Sequence, residues 1–280
     1  MEANFEVKTP KFVGEKKHSE GFSQIPSNFK KIPGLSIVIP AYNEEDRIGP
    51  TIRDLVRNID NINEILVVFD GNDNTPAVAE SFGPKVQVLK YNRKLGRGGA
   101  VLEGLQKSNY RKVCFIDADN SAPWFEVKRL ADMIQEGNKC VIASRWTKGS
   151  KIKQKEGPFK MFFGRVWRYL TFFLLRLNVK DAQCGLKCFD SDLLEQVLPK
   201  VKTTNRMFDV SLLYNVVQTG YDIKEVGIEW SHNQNTRMPY VHVIPMMFLY
   251  LFGLRFAHSP LAKKFPKFFE KVRENINEIH

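Results

Sequence analysis

The chain has 280 residues, of which 43% are hydrophobic, enough for the core of one α/β domain with extensions or of two small domains, and it carries no repeat or low-complexity tract; one catalytic-sized domain with decorations is the simpler reading. The net charge of +11 is concentrated, because Arg145 to Lys180 holds ten Lys and Arg against Glu156 alone, and such a patch attracts nucleic acid, anionic lipid or phosphorylated substrates without choosing among them. Met1 to Lys31 is polar and charged, with no sign of a signal peptide, and Cys114, Cys140, Cys184 and Cys188 lie mostly in apolar stretches, so a reduced, cytosolic chain is expected; the CxxxC of Cys184 and Cys188 has no second Cys/His pair to complete a tetrahedral zinc site.

Residues 1–34 lack apolar periodicity and read as an arm ending at Pro33-Gly34. From there short β-branched runs, "LSIVIP" (35–40), "EILVVFD" (64–70), "KVQVLK" (85–90), "KVCFID" (112–117) and "KCVIAS" (139–144), alternate with helical patterns such as Asp46–Ile59 and Gly98–Ser108. Strands apolar on both faces and separated by helices predict a mostly parallel sheet covered on both sides, a Rossmann-like α/β architecture. Ligands of such sheets bind beyond the carboxyl ends of the strands. Here those ends are polar and often acidic: Pro40-Ala41-Tyr42-Asn43-Glu44, Asp70-Gly71-Asn72-Asp73, Asn92-Arg93-Lys94, Asp117-Ala118-Asp119 and Ser144-Arg145. Beyond them come an aromatic helix-like stretch from Pro158 to Leu177, a short strand "GLKCF", helices around Leu193 and Val210–Thr219, and the strand "IKEVGIEW".

The tail offers two amphipathic segments, Val241–Phe256 and Leu261–His280. A membrane span over Pro158–Leu177 would put Arg165 and Arg168 near the bilayer centre, at about 2.5–3.5 kcal/mol each. Val241–Phe256 is short for a span and contains Pro245 and Arg255. Both segments suit helices lying in a membrane interface, with ordinary core helices as the alternative.

Two carboxylates one residue apart on a strand point to opposite faces, but a turn at the strand end lets both converge on one ligand. Asp117 and Asp119 are so placed, and a hard cation such as Mg²⁺ takes one or two carboxylates together with substrate phosphates. The loop "RKLGRGGA" (93–100) sets Gly96, Gly98 and Gly99 beside Lys94 and Arg97 at a helix start, which suits either a phosphate cradle or simply a tight turn. It matches neither GxxxxGK[ST] nor a GxGxxG at the first strand turn.

In order along the chain, "SIVIPAYNEE", "LGRGGAVLEG", "FIDADN", "ASRW", "DAQCGLKCF" and "NRMFDVSLLY" resemble the family 2 glycosyltransferases of GT-A fold, and within them the dolichyl-phosphate sugar synthases, glucosyl more than mannosyl. The resemblance covers roughly residues 34–256. It implies a GT-A domain over 35–232 followed by amphipathic interface helices over 233–280. It also implies an inverting, Mg²⁺- or Mn²⁺-dependent transfer of a hexose from a nucleotide sugar, UDP-glucose or GDP-mannose, to a polyprenyl (dolichyl) phosphate. The enzyme would act peripherally at the cytoplasmic face of a membrane, on an anionic surface. By the same resemblance Pro40, Tyr42 and Glu44 line the nucleotide pocket, Asp70 bonds the base, and Arg97 lies near the diphosphate. Asp117 and Asp119 form the metal-binding pair, with Asp119 the more direct ligand. Arg145 and Arg165 hold the acceptor phosphate, while Gln183 and Asp209 line the sugar and acceptor site, Asp209 as a sugar-orienting group or base. Phe69 departs from the pattern, since many relatives carry a second aspartate before Asp70. A transferase with a soluble acceptor and a noncatalytic sugar-nucleotide or membrane binder are the competing readings. A nucleic-acid partner is not expected, because no recognition helix, RNP or zinc-finger pattern accompanies the charge.

Overall fold

The computed structural model describes residues 32–153, 158–201, 203–205, 207–231, 248, 250–253 and 255. The first part alternates strictly: β1 (Ile32–Ala41), α1 (Ile48–Asn58), β2 (Ile62–Phe69), α2 (Thr75–Glu80), β3 (Val86–Lys90), α3 (Gly96–Lys107), β4 (Tyr110–Ile116), α4 (Trp124–Gln135) and β5 (Cys140–Ser144). There follow β6 (Lys151–Ile152), α5 (Pro158–Leu175), β7 (Leu186–Asp190), α6 (Ser191–Val197) with a 3-10 turn over Leu198–Lys200, α7 (Phe208–Gln218), β8 (Lys224–Gly227) and β9 (Glu229–Trp230). β1 begins inside the expected arm, because Ile32 already pairs with Tyr110 of β4. The expected segment Leu261–His280 and most of Val241–Phe256 lie outside the described residues, although Tyr250 and Leu251, in helical conformation, are buried in the core.

Seven strands form one sheet in the order β3-β2-β1-β4-β7-β5-β8. All pairings are parallel except those of β7, which runs antiparallel between β4 and β5. Period-two alternation sends successive residues to opposite faces. Val38, Phe115 and Phe189 therefore enter a core half shared with α3, α6 and α7, whereas Ile37, Ile39 and Cys114 enter the half shared with α1, α2 and α4. Each fully buried Leu, Ile or Phe contributes about 1.5–3 kcal/mol, and both halves are built almost wholly of such residues.

Two local results differ from the expectations. The run "IKEVGIEW" is two strands, β8 in the main sheet and β9 paired with β6 in a small second sheet. The cysteines are not all reduced: Cys114 and Cys188 face each other in register on β4 and β7 and form a disulfide, with Cα atoms 4.0 Å apart, leaving Cys140 and Cys184 as buried thiols. Their separation of 74 residues hides the pair in the sequence until β7 is known to insert beside β4. Among the described residues no helix is long and apolar enough to cross a membrane.

Candidate active site

The strand ends meet along one rim. β1 runs out through Pro40, which is in register with Val68, into a turn where Asn43 adopts φ 55° and accepts a hydrogen bond from the Asn72 backbone N–H (2.9 Å). Tyr42 is half exposed, with Lys94 Nζ 5.2 Å from its ring centre. The Glu44 backbone N–H donates to Thr75 Oγ1, and its carboxylate pairs with Arg47 at 2.7 Å. Burial lifts the Glu44 carboxyl above its ordinary range despite Arg47, and the negative charges of Asp119 and Asp117 add to the lift.

Asp70 is buried at the end of β2 and uses Oδ2 to accept from the backbone N–H groups of Leu95 (2.6 Å) and Gly96 (2.9 Å), pinning the start of α3. The Gly99 N–H is taken by the Thr204 carbonyl at 2.9 Å. Of the two readings of this glycine-rich loop, phosphate cradle or tight turn, the structure favours the turn, since the protein's own acceptors take the N–H groups of Leu95, Gly96 and Gly99 and the loop serves close packing. A Cβ on Gly98 would come within 2.5 Å of Phe208 Cβ and 2.6 Å of the Thr204 and Asn205 carbonyl oxygens. That approach brings α3 against the start of α7 and lets Arg97 reach Asp209. Gly98→Ala should therefore lower stability by about 1–3 kcal/mol, read as a drop in melting temperature.

The acid pair lies at the end of β4. Asp119 is partly exposed and accepts from the Ser121 backbone N–H at 3.1 Å. Asp117 accepts from Arg97 Nε at 2.9 Å and packs against Gly185, where a Cβ would fall 1.9 Å from Asp117 Oδ2. Burial pushes the Asp117 carboxyl above its ordinary range, Arg97 opposes this, and Asp119 reinforces it. Behind Arg97 stands a second layer. Arg97 Nη1 donates to Asp209 Oδ2 (2.6 Å), and Lys187 Nζ donates to Asp209 Oδ1 (2.6 Å) and to the Cys184 carbonyl (2.6 Å). Both Asp209 oxygens are occupied and its side chain is 3% exposed, so the expected base or sugar-orienting role does not fit; it anchors Arg97 instead. Lys187, on β7, was missed by the sequence reading, although one lysine within the apolar run "GLKCF" was a usable signal.

Arg145, at the end of β5, is clamped by Asp181, with Nε to Oδ2 at 2.7 Å and Nη2 to Oδ1 at 2.8 Å, and its guanidinium lies 5.7 Å from the Trp230 ring centre. Asp181 is itself fixed, since Glu225 accepts from the backbone N–H groups of Lys180 and Asp181. Gln183 sits, partly buried, in the loop between Asp181 and Gly185. Arg165 is exposed on α5, one residue beyond Gly164, where a Cβ would be 2.2 Å from the Trp146 ring. Arg145 and Arg165 thus flank one junction of helix and sheet, but Arg145 already holds a carboxylate.

A metal ion fits this rim in one way. Asp117 and Asp119 stand one residue apart at the end of β4, and among the described residues no three His, Cys, Asp or Glu side chains gather closely enough to hold an ion. The pair suits a hard cation that brings further oxygen ligands with it, as phosphates do.

A sequence profile described as Glycosyl transferase family 2 matches residues 36–198, well over half of the chain and all of the strand ends above up to β7. The chain belongs to this family. The family 2 glycosyltransferase is 27% identical over 248 residues to a dolichyl-phosphate beta-glucosyltransferase of Trichomonas vaginalis, covering 79% of this chain and 74% of that one. It is 26% identical to the human dolichyl-phosphate beta-glucosyltransferase (73% and 69% covered) and 26% identical to the polyprenol monophosphomannose synthase of Mycolicibacterium smegmatis (77% and 84%). Among solved structures, glucosyl-3-phosphoglycerate synthase of Mycobacterium tuberculosis in complex with Mn²⁺, UDP and glucosyl-3-phosphoglycerate superposes with a TM-score of 0.62 at 20% identity, covering 79% of this chain and 78% of that one. The fold of this family 2 glycosyltransferase is thus GT-A, with its antiparallel β7 inserted in an otherwise parallel sheet.

Proposed function

We propose that the enzyme transfers a hexose, with inversion, from a nucleotide sugar to a polyprenyl phosphate, UDP-glucose being the favoured donor and GDP-mannose the second, and that it works peripherally at the cytoplasmic face of a membrane. The dolichyl-phosphate and polyprenol relatives support the acceptor class, and the glucosyl relatives support the sugar. One observation carries the lipid reading: α5 docks through Gly164 onto Trp146, next to Arg145 at the sheet rim, and presents Tyr169 (60% exposed), Phe172 (44%) and Phe173 (74%) to solvent with Arg165 and Arg176 beside them. Exposed aromatics flanked by arginines suit an anionic bilayer interface.

In this reading Asp119 and Asp117 would hold Mg²⁺ or Mn²⁺, which when bound offsets the charge left on the nucleoside diphosphate. Pro40, Tyr42 and Glu44 line the nucleotide, and Asp70 is left with Oδ1 for the base because Oδ2 serves the loop. Arg97 adds positive charge beside the leaving group. The acceptor is already ionised near neutral pH, its second pKa being about 6, so positioning outweighs proton removal. Arg165, exposed on α5, meets the acceptor phosphate; Arg145, held by Asp181, contributes charge from a fixed place, and Gln183 lines the sugar.

Labelled UDP-glucose or GDP-mannose incubated with Mn²⁺ and dolichyl phosphate should give a lipid-linked product, and none with either donor refutes the reading. Phe173→Glu should reduce flotation with anionic liposomes several-fold while leaving the melting temperature unchanged; protein that never floats points to a soluble acceptor.

A further inference from the structure

Lys187 has no exposed surface, yet it sits in the middle of a strand, in register with Phe115 and Ile142, where an apolar residue would avoid the desolvation of an ammonium group. Its Nζ is satisfied by Asp209 Oδ1 and the Cys184 carbonyl and lies 5.1 Å from the Phe115 ring centre. Asp209, in the first turn of α7, is equally buried and offers its other oxygen to Arg97. Arg97 then has Nε on Asp117, while its Nη2 is buried with no hydrogen-bond partner among the described residues. Lys187, Asp209, Arg97 and Asp117 thus form a row of alternating charge that starts in the core and ends at the rim.

The order of the row has a geometric consequence. A guanidinium facing a carboxylate with both oxygens open prefers the two-bonded, fork-to-fork arrangement. Lys187 competes with that arrangement by satisfying Oδ1, which without it would be a buried acceptor open to Arg97 Nη2. With Oδ1 so satisfied, Arg97 spends Nη1 on Asp209, turns Nε to Asp117 and leaves Nη2 for another acceptor. We infer that Lys187 is a positioning residue for sugar-donor binding: by holding one oxygen of Asp209 it keeps Arg97 directed to Asp117 and to the donor's diphosphate. The inference rests on the proposed reading of this rim as the nucleotide-sugar pocket.

Binding of UDP in the presence of Mn²⁺, followed by calorimetry, separates the possibilities. Lys187→Met should weaken binding about tenfold or more, because Arg97 closes onto both oxygens of Asp209, and adding Asp209→Asn should bring affinity back to within about threefold of wild type, since the competing carboxylate is gone. A purely structural lysine would lower the melting temperature of Lys187→Met without changing nucleotide affinity in the folded protein, or would leave the double variant as weak as the single one; either result overturns the inference. Should Lys187→Met fail to fold, the double variant is compared with Asp209→Asn alone. Equal affinities are then expected, and a weaker double variant overturns the inference. Wild-type protein that binds neither UDP nor GDP with Mn²⁺ instead removes the donor-pocket reading itself.

Discussion

Asp119→Asn is expected to abolish sugar transfer, by about 10³-fold or more, while the melting temperature stays within a degree or two of wild type. The loss follows from chemistry: an amide keeps the shape of the turn but gives a hard cation a neutral, weaker ligand. The preserved fold follows from geometry, because the hydrogen bond that the Asp119 side chain makes among the described residues is a short-range one, from the Ser121 N–H to Oδ1, which the asparagine oxygen can also accept. Transfer assays at saturating donor and Mn²⁺ check the first half and thermal denaturation the second. Full activity in this variant would remove the acid pair from the mechanism.

Asp209→Ala should behave in the opposite way, with stability falling first. It leaves Lys187 buried with the Cys184 carbonyl and the Phe115 ring but no carboxylate among the described residues, and breaking a buried pair by removing one partner costs about 3–5 kcal/mol, equivalent to a fall in melting temperature on the order of 10 °C for a domain of this size. The loss also depends on pH in a defined direction. Burial opposes ionisation of Asp209, but Arg97 and Lys187 outweigh it and hold the carboxyl below its ordinary range. Its stabilisation is therefore complete above the unfolded-state pKa and disappears as pH falls through the folded-state value. Melting temperatures of wild type and variant, measured from neutral pH downward, should converge on the acid side.

Much of this architecture was legible because parallel strands buried on both faces must be apolar throughout, and helices must separate them. The runs at 35–40, 64–70, 112–117 and 139–144 announce β1, β2, β4 and β5 within a few residues. The acid pair was legible for a related reason: Asp117 and Asp119 break an apolar run where a sheet of this class binds ligands. Partnerships were not legible. Nothing local in "DAQCG" shows that Asp181 clamps Arg145, and nothing near Asp209 shows that Lys187 and Arg97 share it, since these contacts span 36, 22 and 112 residues. The same blindness to long-range pairing left the glycine-rich loop open between an anion cradle and a tight turn, when Asp70 and Thr204 already take the N–H groups of Leu95, Gly96 and Gly99, and made Cys114 and Cys188 read as separate thiols.

The reversed strand β7 also bears on the order in which the molecule is made. β1 to β4 form a contiguous parallel unit from residues 32–116, but β4 and β5 cannot join until Leu186–Asp190, synthesised later, slides between them. During translation the nascent chain therefore holds a sheet whose β4 edge is unpaired, and closing it requires a contact across 74 residues, Cys114 to Cys188. Such non-local closure is slow and leaves an edge open to aggregation. The half that carries Asp70, Arg97 and the acid pair is therefore made before the half that carries Arg145, Asp181 and α5, and the rim is complete only when the second docks onto the first.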